Sequence, residues 1–162
     1  RDRLRSRGLG DVYKRQGTDT DASEAAANLA APGAKQAVVE DRRGLTVLVR
    51  NAMFRRVQLM DLDKPDELGA LDKDWGYGVH EWEDTLDDYY DEHEYVNIDA
   101  KARSGELFIL DESKENSEHS WKVRQIIDDS DGDHDWAITG TVDLDATQSS
   151  GEVVFFDYSV SN

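Results

Sequence analysis

The chain contains no cysteine, so neither a disulfide nor a thiolate metal site is open to it, which fits a reducing cytoplasm. It has only two prolines, Pro32 and Pro65, and both read as boundaries rather than interruptions. No stretch reads as a signal peptide, and no apolar run reaches transmembrane length, so a membrane partner is not expected. Positive charge is scarce: 19 Lys and Arg stand against 36 Asp and Glu, a formal charge of −17 over 162 residues. A surface that acidic repels phosphate backbones and argues against a general nucleic-acid binder. Motifs are missing too. There is no Gly-Lys-Ser/Thr loop to cradle phosphates, no His-Glu-x-x-His pair and no Gly-x-Ser-x-Gly elbow. Carboxylates are so abundant that pairing singles none of them out. The residues by themselves yield no catalytic set and point away from an enzyme.

Residues 1–16, RDRLRSRGLGDVYKRQ, read as foreign to the domain. Ser6 to Gln16 resembles a translated transposase-type sequencing adapter. Arg1 and Asp2 would then be the end of a flow-cell primer, and Arg3 to Arg5 an index. The alternative is a basic N-terminal arm for nucleic acid or membrane. The adapter reading sets the segment aside from fold reasoning and makes the chain the tail of something longer. That head holds six basic and two acidic residues, so the remaining 146 carry −21. Residues 17–36, small and polar and then alanine-rich up to Pro32-Gly33, read as a flexible linker too short for a stable isolated helix. The ordered domain is expected over residues 37–162, a length that supports a core without staples.

Leu45 to Met60 is the first expected helix, with Leu45, Leu48, Val49, Ala52, Met53, Val57 and Met60 on one face. Arg56 falls in the middle of that face. A charge there must be paired or line a cavity. Pro65 sits at the first position of a short helix to Leu71, and the turn-rich Asp72 to Gly78 follows. Val79 to Val96 reads as one amphipathic helix, with Trp82, Leu86, Tyr89, Tyr90, His93 and Val96 forming its inward stripe.

Four strands are expected after it: Glu106–Asp111, His119–Asp128, Trp136–Asp145 and Glu152–Val160. In the third, Trp136, Ile138, Val142 and Leu144 share one face, and Gly140 marks a bulge or a close approach. In the fourth, Val154, Phe156, Tyr158 and Val160 oppose Val153, Phe155, Asp157 and Ser159. Connections of roughly 6–8 residues suit a meander of hairpins. The fold expected is therefore α+β, with N-terminal helices on one face of a four-stranded antiparallel meander, in an NTF2-like or cystatin-like order.

Two local patterns invite chemistry. Asp128 to Asp135, DDSDGDHD, has the composition of a calcium loop, but the EF-hand register puts Ile127 and Ile138 where Asp and Glu are required. A tight turn around Asp131-Gly132 is the better reading. Asp91-Glu92-His93-Glu94 looks like a helicase Asp-Glu box, yet it lies on a helix with no phosphate loop before it. His93, alone among the four histidines, falls on an apolar helical face, as a hydrogen-bonded core residue or a pocket wall.

LVRNAMFRRV (48–57), Asp91 to His93, and VRQIIDD with GDHDWAITGTVDLDA (123–129 and 132–146) resemble the C-terminal domain of unknown function of bacterial superfamily-two DEAD/DEAH-box RNA helicases. The resemblance covers about Asp41 to the end. It departs at Asp129-Ser130-Asp131-Gly132, where an Asp-Pro-small-Gly turn is expected. It implies a parent ATP-dependent RNA helicase in the cytoplasm, with ATP and Mg²⁺ confined to an upstream core and no cofactor in this fragment. The helicase core of the same polypeptide is the implied partner, and RNA is reached through it. The expected role is a non-catalytic accessory module docking on that core or on another protein, with Arg124 and Trp136 at the docking surface. Direct RNA contact through Arg50, Arg55 and Lys122 is the alternative. An NTF2-like pocket for a small anion, lined by Arg56, His93 and Trp82, is another; sealing of Arg56 against a carboxylate such as Asp157 or Asp128 is expected instead.

Overall fold

Asp41 caps a helix: its carboxylate accepts from the Gly44 N–H at 2.9 Å, satisfying a donor that the first turn leaves free. In the computed structural model, which describes residues 41–162, this helix is α1, Arg42–Asp61. It is longer at its N-terminus than the apolar periodicity predicts. Val47 stays exposed, whereas Phe54 is buried and every residue from Arg56 to Asp61 is buried. The second half of α1 is thus wrapped on all sides. Pro65 opens α2, Pro65–Asp72, as expected. A 3₁₀ turn over Lys73–Trp75 ends at Gly76 in the left-handed region, and α3, Val79–Glu92, follows. Gly69 lets α2 and α3 approach: a Cβ there would lie 2.4 Å from the backbone nitrogen of Val79.

Helix α3 stops four residues before the apolar stripe predicts. His93 already has extended dihedrals (φ −130°, ψ 148°), and Val96 is buried as part of an isolated bridge to Asp129 rather than on a helix. Apolar spacing continued past the helix end because the next segment is also covered. Tyr89 donates to Tyr95 O at 2.8 Å and Tyr90 to Met60 O at 2.6 Å, tying the end of α3 to that segment and to α1.

The sheet is a four-stranded antiparallel meander in the order β1-β2-β3-β4, giving the α+β fold expected. The strands are β1 Phe108–Asp111, β2 Ser120–Ile126, β3 Ala137–Asp143 and β4 Phe155–Ser161, each shorter at its start than the sequence pattern. A one-turn helix α4, Glu115–Glu118, lies within the β1–β2 connection. Helix α5, Leu144–Ser150, takes the place of the expected end of the third strand. Its signals were present: Asp143 caps it by accepting from Ala146 N at 3.0 Å, and Gly151 ends it with φ 78°.

Strand β4 corrects the face assignment. Phe155, Tyr158 and Val160 point into the core, and Phe156 points out. The register with β3 shifts between Thr139 and Thr141, and Asp157 takes up the extra residue with φ 48°, a bulge that flips the alternation. Gly140 gives room there: a Cβ would sit 3.3 Å from the Phe155 and Tyr158 rings, which would have to give by a few tenths of an ångström. The inward faces of the strands and the three N-terminal helices enclose one core that includes Trp82, Tyr89, Trp121, Ile138 and Phe155.

Candidate functional site

Three places gather polar chemistry, and the first is closed. Arg56, in the apolar face of α1, meets Asp72 at the end of α2. The Arg56 guanidinium donates from Nε at 3.1 Å and Nη2 at 2.8 Å to Asp72 Oδ1, and from Nη1 to Ala52 O at 2.8 Å. Asp72 Oδ2 accepts from the Trp82 indole at 3.0 Å and the Tyr158 hydroxyl at 2.7 Å. Asp72 is wholly buried, and Arg56 lies over the Phe155 ring at 5.7 Å. Every lone-pair direction of the carboxylate faces a donor, so the buried pair is compensated. Burial, then the negative charge of Asp72, holds the Tyr158 hydroxyl far above its ordinary range. Arg56 is therefore sealed, and its partner is Asp72 rather than Asp157 or Asp128. Trp82 serves the same carboxylate. His93 does not join them: it lies eleven positions beyond Trp82 at the far end of α3, about 16 Å along the helix axis. The three residues of the alternative pocket reading do not line one pocket.

The second place is the β2–β3 loop beneath His93. Asp129 organises it. Its Oδ1 accepts from the Asp131 and Asp133 amides, both at 2.9 Å, and its Oδ2 from the His134 amide at 2.7 Å. Gly132 and His134 adopt positive φ to let the chain wrap the carboxylate. Burial alone would raise the Asp129 pKa, but these backbone donors and the nearby His93 charge hold it below the usual carboxylate range. Asp128 is buried and lies 2.9 Å from His134 Nε2. The loop is fastened to the segment after α3 by Asn97 N–H to Asp128 O at 2.9 Å and Glu94 N–H to Ser130 Oγ at 2.8 Å. His93 sits over it with Nδ1 2.7 Å from Asp131 Oδ2 and Nε2 3.0 Å from Asp135 Oδ1. His93, Asp129, Asp131 and Asp133 each place one potential ligand atom within 4.8 Å of the others. Asp129, however, spends both oxygens on backbone amides, and His93 spends both nitrogens on carboxylates. The donor set is that of a folded loop.

The third place is the outward face of the sheet. Ile109, Lys122, Arg124, Thr139, Thr141 and Phe156 point away from the core. Ile109 and Phe156 are 48% and 43% exposed. Between the strands lies a shallow depression of about 350 Å³, floored by Val123 and Gly140 and edged by Asp111, Lys122, Arg124 and Asp157. Arg124 is exposed on this face. Trp136 does not: it is buried on the other side, edge-on to Tyr89 with ring centroids 5.6 Å apart, because it precedes β3 in the inward phase. Arg50 donates to Arg103 O at 2.8 Å and lies over the Phe108 ring at 5.3 Å, on the inner side. Arg55 is half-buried. Arg50 and Lys122 thus belong to opposite faces of the sheet and form no single basic patch.

A family model described as a domain of unknown function, DUF3516, matches residues 10–160. The chain belongs to this family. The match takes in Gly10 to Gln16, within the segment that resembles an adapter, and nearly all of the described DUF3516 domain. No curated protein and no solved structure matches the chain. Among the described residues of the DUF3516 domain, no helix is long and apolar enough to cross a membrane. Two groups that matter here escaped the sequence reading. Asp72 looked like one more acid in a turn, since only its closeness to Arg56 distinguishes it. Ile109 and Phe156 were lost because a four-residue strand and a bulge hide which face each one occupies.

Proposed function

We propose that this DUF3516 domain is a non-catalytic accessory module of an ATP-dependent RNA helicase. It docks through the outward face of its sheet on the helicase core of the same polypeptide. The observation that carries the docking surface is that two exposed apolar side chains, Ile109 on β1 and Phe156 on β4, share the outward face with Lys122 and Arg124 on β2 between them. The chain as a whole is dominated by acid, at a net −17. Large apolar side chains left exposed on a face that also carries positive charge mark an interaction surface. The helicase link rests on the resemblance of residues 48–57, 91–93, 123–129 and 132–146. ATP and Mg²⁺ chemistry belongs to the upstream core, and RNA is reached through it in the cytoplasm.

Support for a non-catalytic role comes from how the buried charges are used. Arg56 and Asp72 satisfy each other, and Asp129 is occupied by its own loop, so neither presents a free acid, base or anion hole. Direct RNA contact has less support, since Lys122 and Arg124 are flanked by Asp111 and Asp157 around the depression. The test is NMR titration of the labelled chain with the helicase core encoded upstream of Gly17. Docking shifts the amides of Ile109, Lys122, Arg124 and Phe156 and leaves those of α1 unchanged. Steeply salt-dependent, micromolar binding of single-stranded RNA to the same residues would overturn the docking reading. An upstream reading frame without a phosphate loop would withdraw the helicase.

A further inference from the structure

His93 is the one imidazole among the described residues that is buried and has both ring nitrogens against carboxylates. Its side chain is 2% exposed, whereas those of Asp131 and Asp135 are 57% and 40% exposed. A neutral imidazole offers one N–H and one acceptor, and an ionised carboxylate accepts only. The neutral ring therefore satisfies one of these contacts and sets lone pair against lone pair at the other. The doubly protonated ring satisfies both. We propose that His93 is a pH-operated latch: as an imidazolium it clamps loop 128–135 to the end of α3, and as a neutral ring it releases the Asp131–Asp135 side of that loop.

All the surrounding charge favours the closed form. From the loop, Asp131 and Asp135 touch the ring, Asp129 Oδ1 lies 3.6 Å from Nδ1, and Asp133 stands within the same cluster. From α3, Glu92 places a carboxylate oxygen within 4.8 Å of a His93 ring nitrogen and of Asp135, and the Tyr89 ring packs at 5.3 Å. Burial pushes Tyr89 upward, so it stays neutral. His134, the other imidazole nearby, is occupied by Asp128. No Lys or Arg is among these contacts. Burial by itself would lower the His93 pKa, but the hydrogen bonds to Asp131 and Asp135 and the charge of Asp129 outweigh it, and the net shift is upward. Folding therefore favours the proton. The latch contributes fully below the unfolded value of about 6.5 and is lost as pH rises through the higher native value.

The decisive experiment is an NMR titration of the full 162-residue chain. It follows the His93 ring together with hydrogen exchange at the amides of Asp131, Asp133 and His134, corrected for the intrinsic pH dependence of exchange. We expect the ring to titrate above about pH 6.5. Protection of the three amides should fall at least about tenfold across the same titration while the amides of β2 and β3 keep theirs, a sub-global opening. Asp135→Asn gives the ring a donor in place of an acceptor, so the neutral imidazole satisfies both contacts. Asp135 is half-exposed, so this change does not threaten the fold. In that variant the loop should remain protected through the whole range. The latch is refuted if His93 titrates at or below its ordinary value, if loop protection is indifferent to that titration, or if D135N keeps the wild-type step.

Discussion

Asp72 and His93 are both buried ionisable groups held by side chains of opposite charge, and they are built to opposite ends. Asp72 is enclosed with its partners: Arg56, Trp82 and Tyr158 are all buried and all donate to it. One positive and one negative charge balance. His93 is enclosed, but Asp131 and Asp135 are solvated carboxylates, and Asp129 beside them adds a third negative charge. A balanced, dry cluster serves as structure. A surplus of solvated acceptors around one buried imidazole makes the contact depend on a proton. Charge balance and donor count, more than depth of burial, separate the brace from the latch.

The sharpest way to break the comparison is at the brace. Asp72→Ala strands a buried guanidinium, and we expect about 3–5 kcal/mol of lost stability in urea unfolding. Combining Arg56→Met with Asp72→Leu should recover part of that loss. Recovery is incomplete because the Trp82 N–H and Tyr158 hydroxyl still lose their acceptor. Next comes the helix crossing that brings Asp72 and Trp82 together. Gly69→Ala forces a Cβ into the Val79 backbone, and overpacking of that kind costs about 1–3 kcal/mol, measurable by thermal or urea denaturation.

The latch has a smaller expected effect, with a sign that changes with pH. His93→Leu removes a stabilising charge that is fully present below the unfolded value of about 6.5 and lost as pH rises through the higher native value. The stability gap between variant and wild type should shrink as pH rises over that interval. At the acid end Asp129 acts in the opposite sense. Its native pKa is depressed, so its contribution is present above the unfolded value of about 3.9 and lost as pH falls through the native one. A stability profile for the wild-type chain should therefore lose loop protection at both extremes. A flat profile would remove the distinction between latch and brace. The smallest effect on the fold is expected at the outward sheet face. Lys122→Glu with Arg124→Glu should leave stability within about 0.5 kcal/mol, while abolishing the amide shifts produced by the helicase core.

Much of the architecture was legible because it is periodic. The apolar spacing of α1 and α3, Pro65 at the start of α2, and the alternation of β3 each express a local rule that needs no partner. Where reading failed, a local rule was overridden. The stripe from Trp82 to Val96 continued past the end of α3 because two different elements bury it in succession. The Val154-to-Val160 alternation broke at Asp157 because a single residue in the left-handed region shifts the register. Asp143 and Gly151 did signal α5, but strand-like residues before and after them masked the signal.

At the candidate sites the division is similar. That Arg56 must be paired or face a cavity follows from its place on a helical face, since a lone charge is too costly to bury. That Asp72 is the partner follows only from the crossing of α1, α2 and α3. The acidity of residues 128–135 is plain in the sequence, as is the failure of a calcium register. That His93 comes to rest between Asp131 and Asp135 requires α3 to stop at Glu92 and the segment after it to bridge Asp129.

The sequence by itself determined the three N-terminal helices, the four strands that follow them, the excess of negative charge and the need to neutralise Arg56. Each of these depends on residue type and spacing along the chain. Tertiary structure alone decided which carboxylate answers Arg56, which apolar side chains are left outside, and whether a buried histidine is a brace or a switch. Those outcomes depend on side chains many residues apart coming within hydrogen-bonding distance, and on how much water each partner keeps.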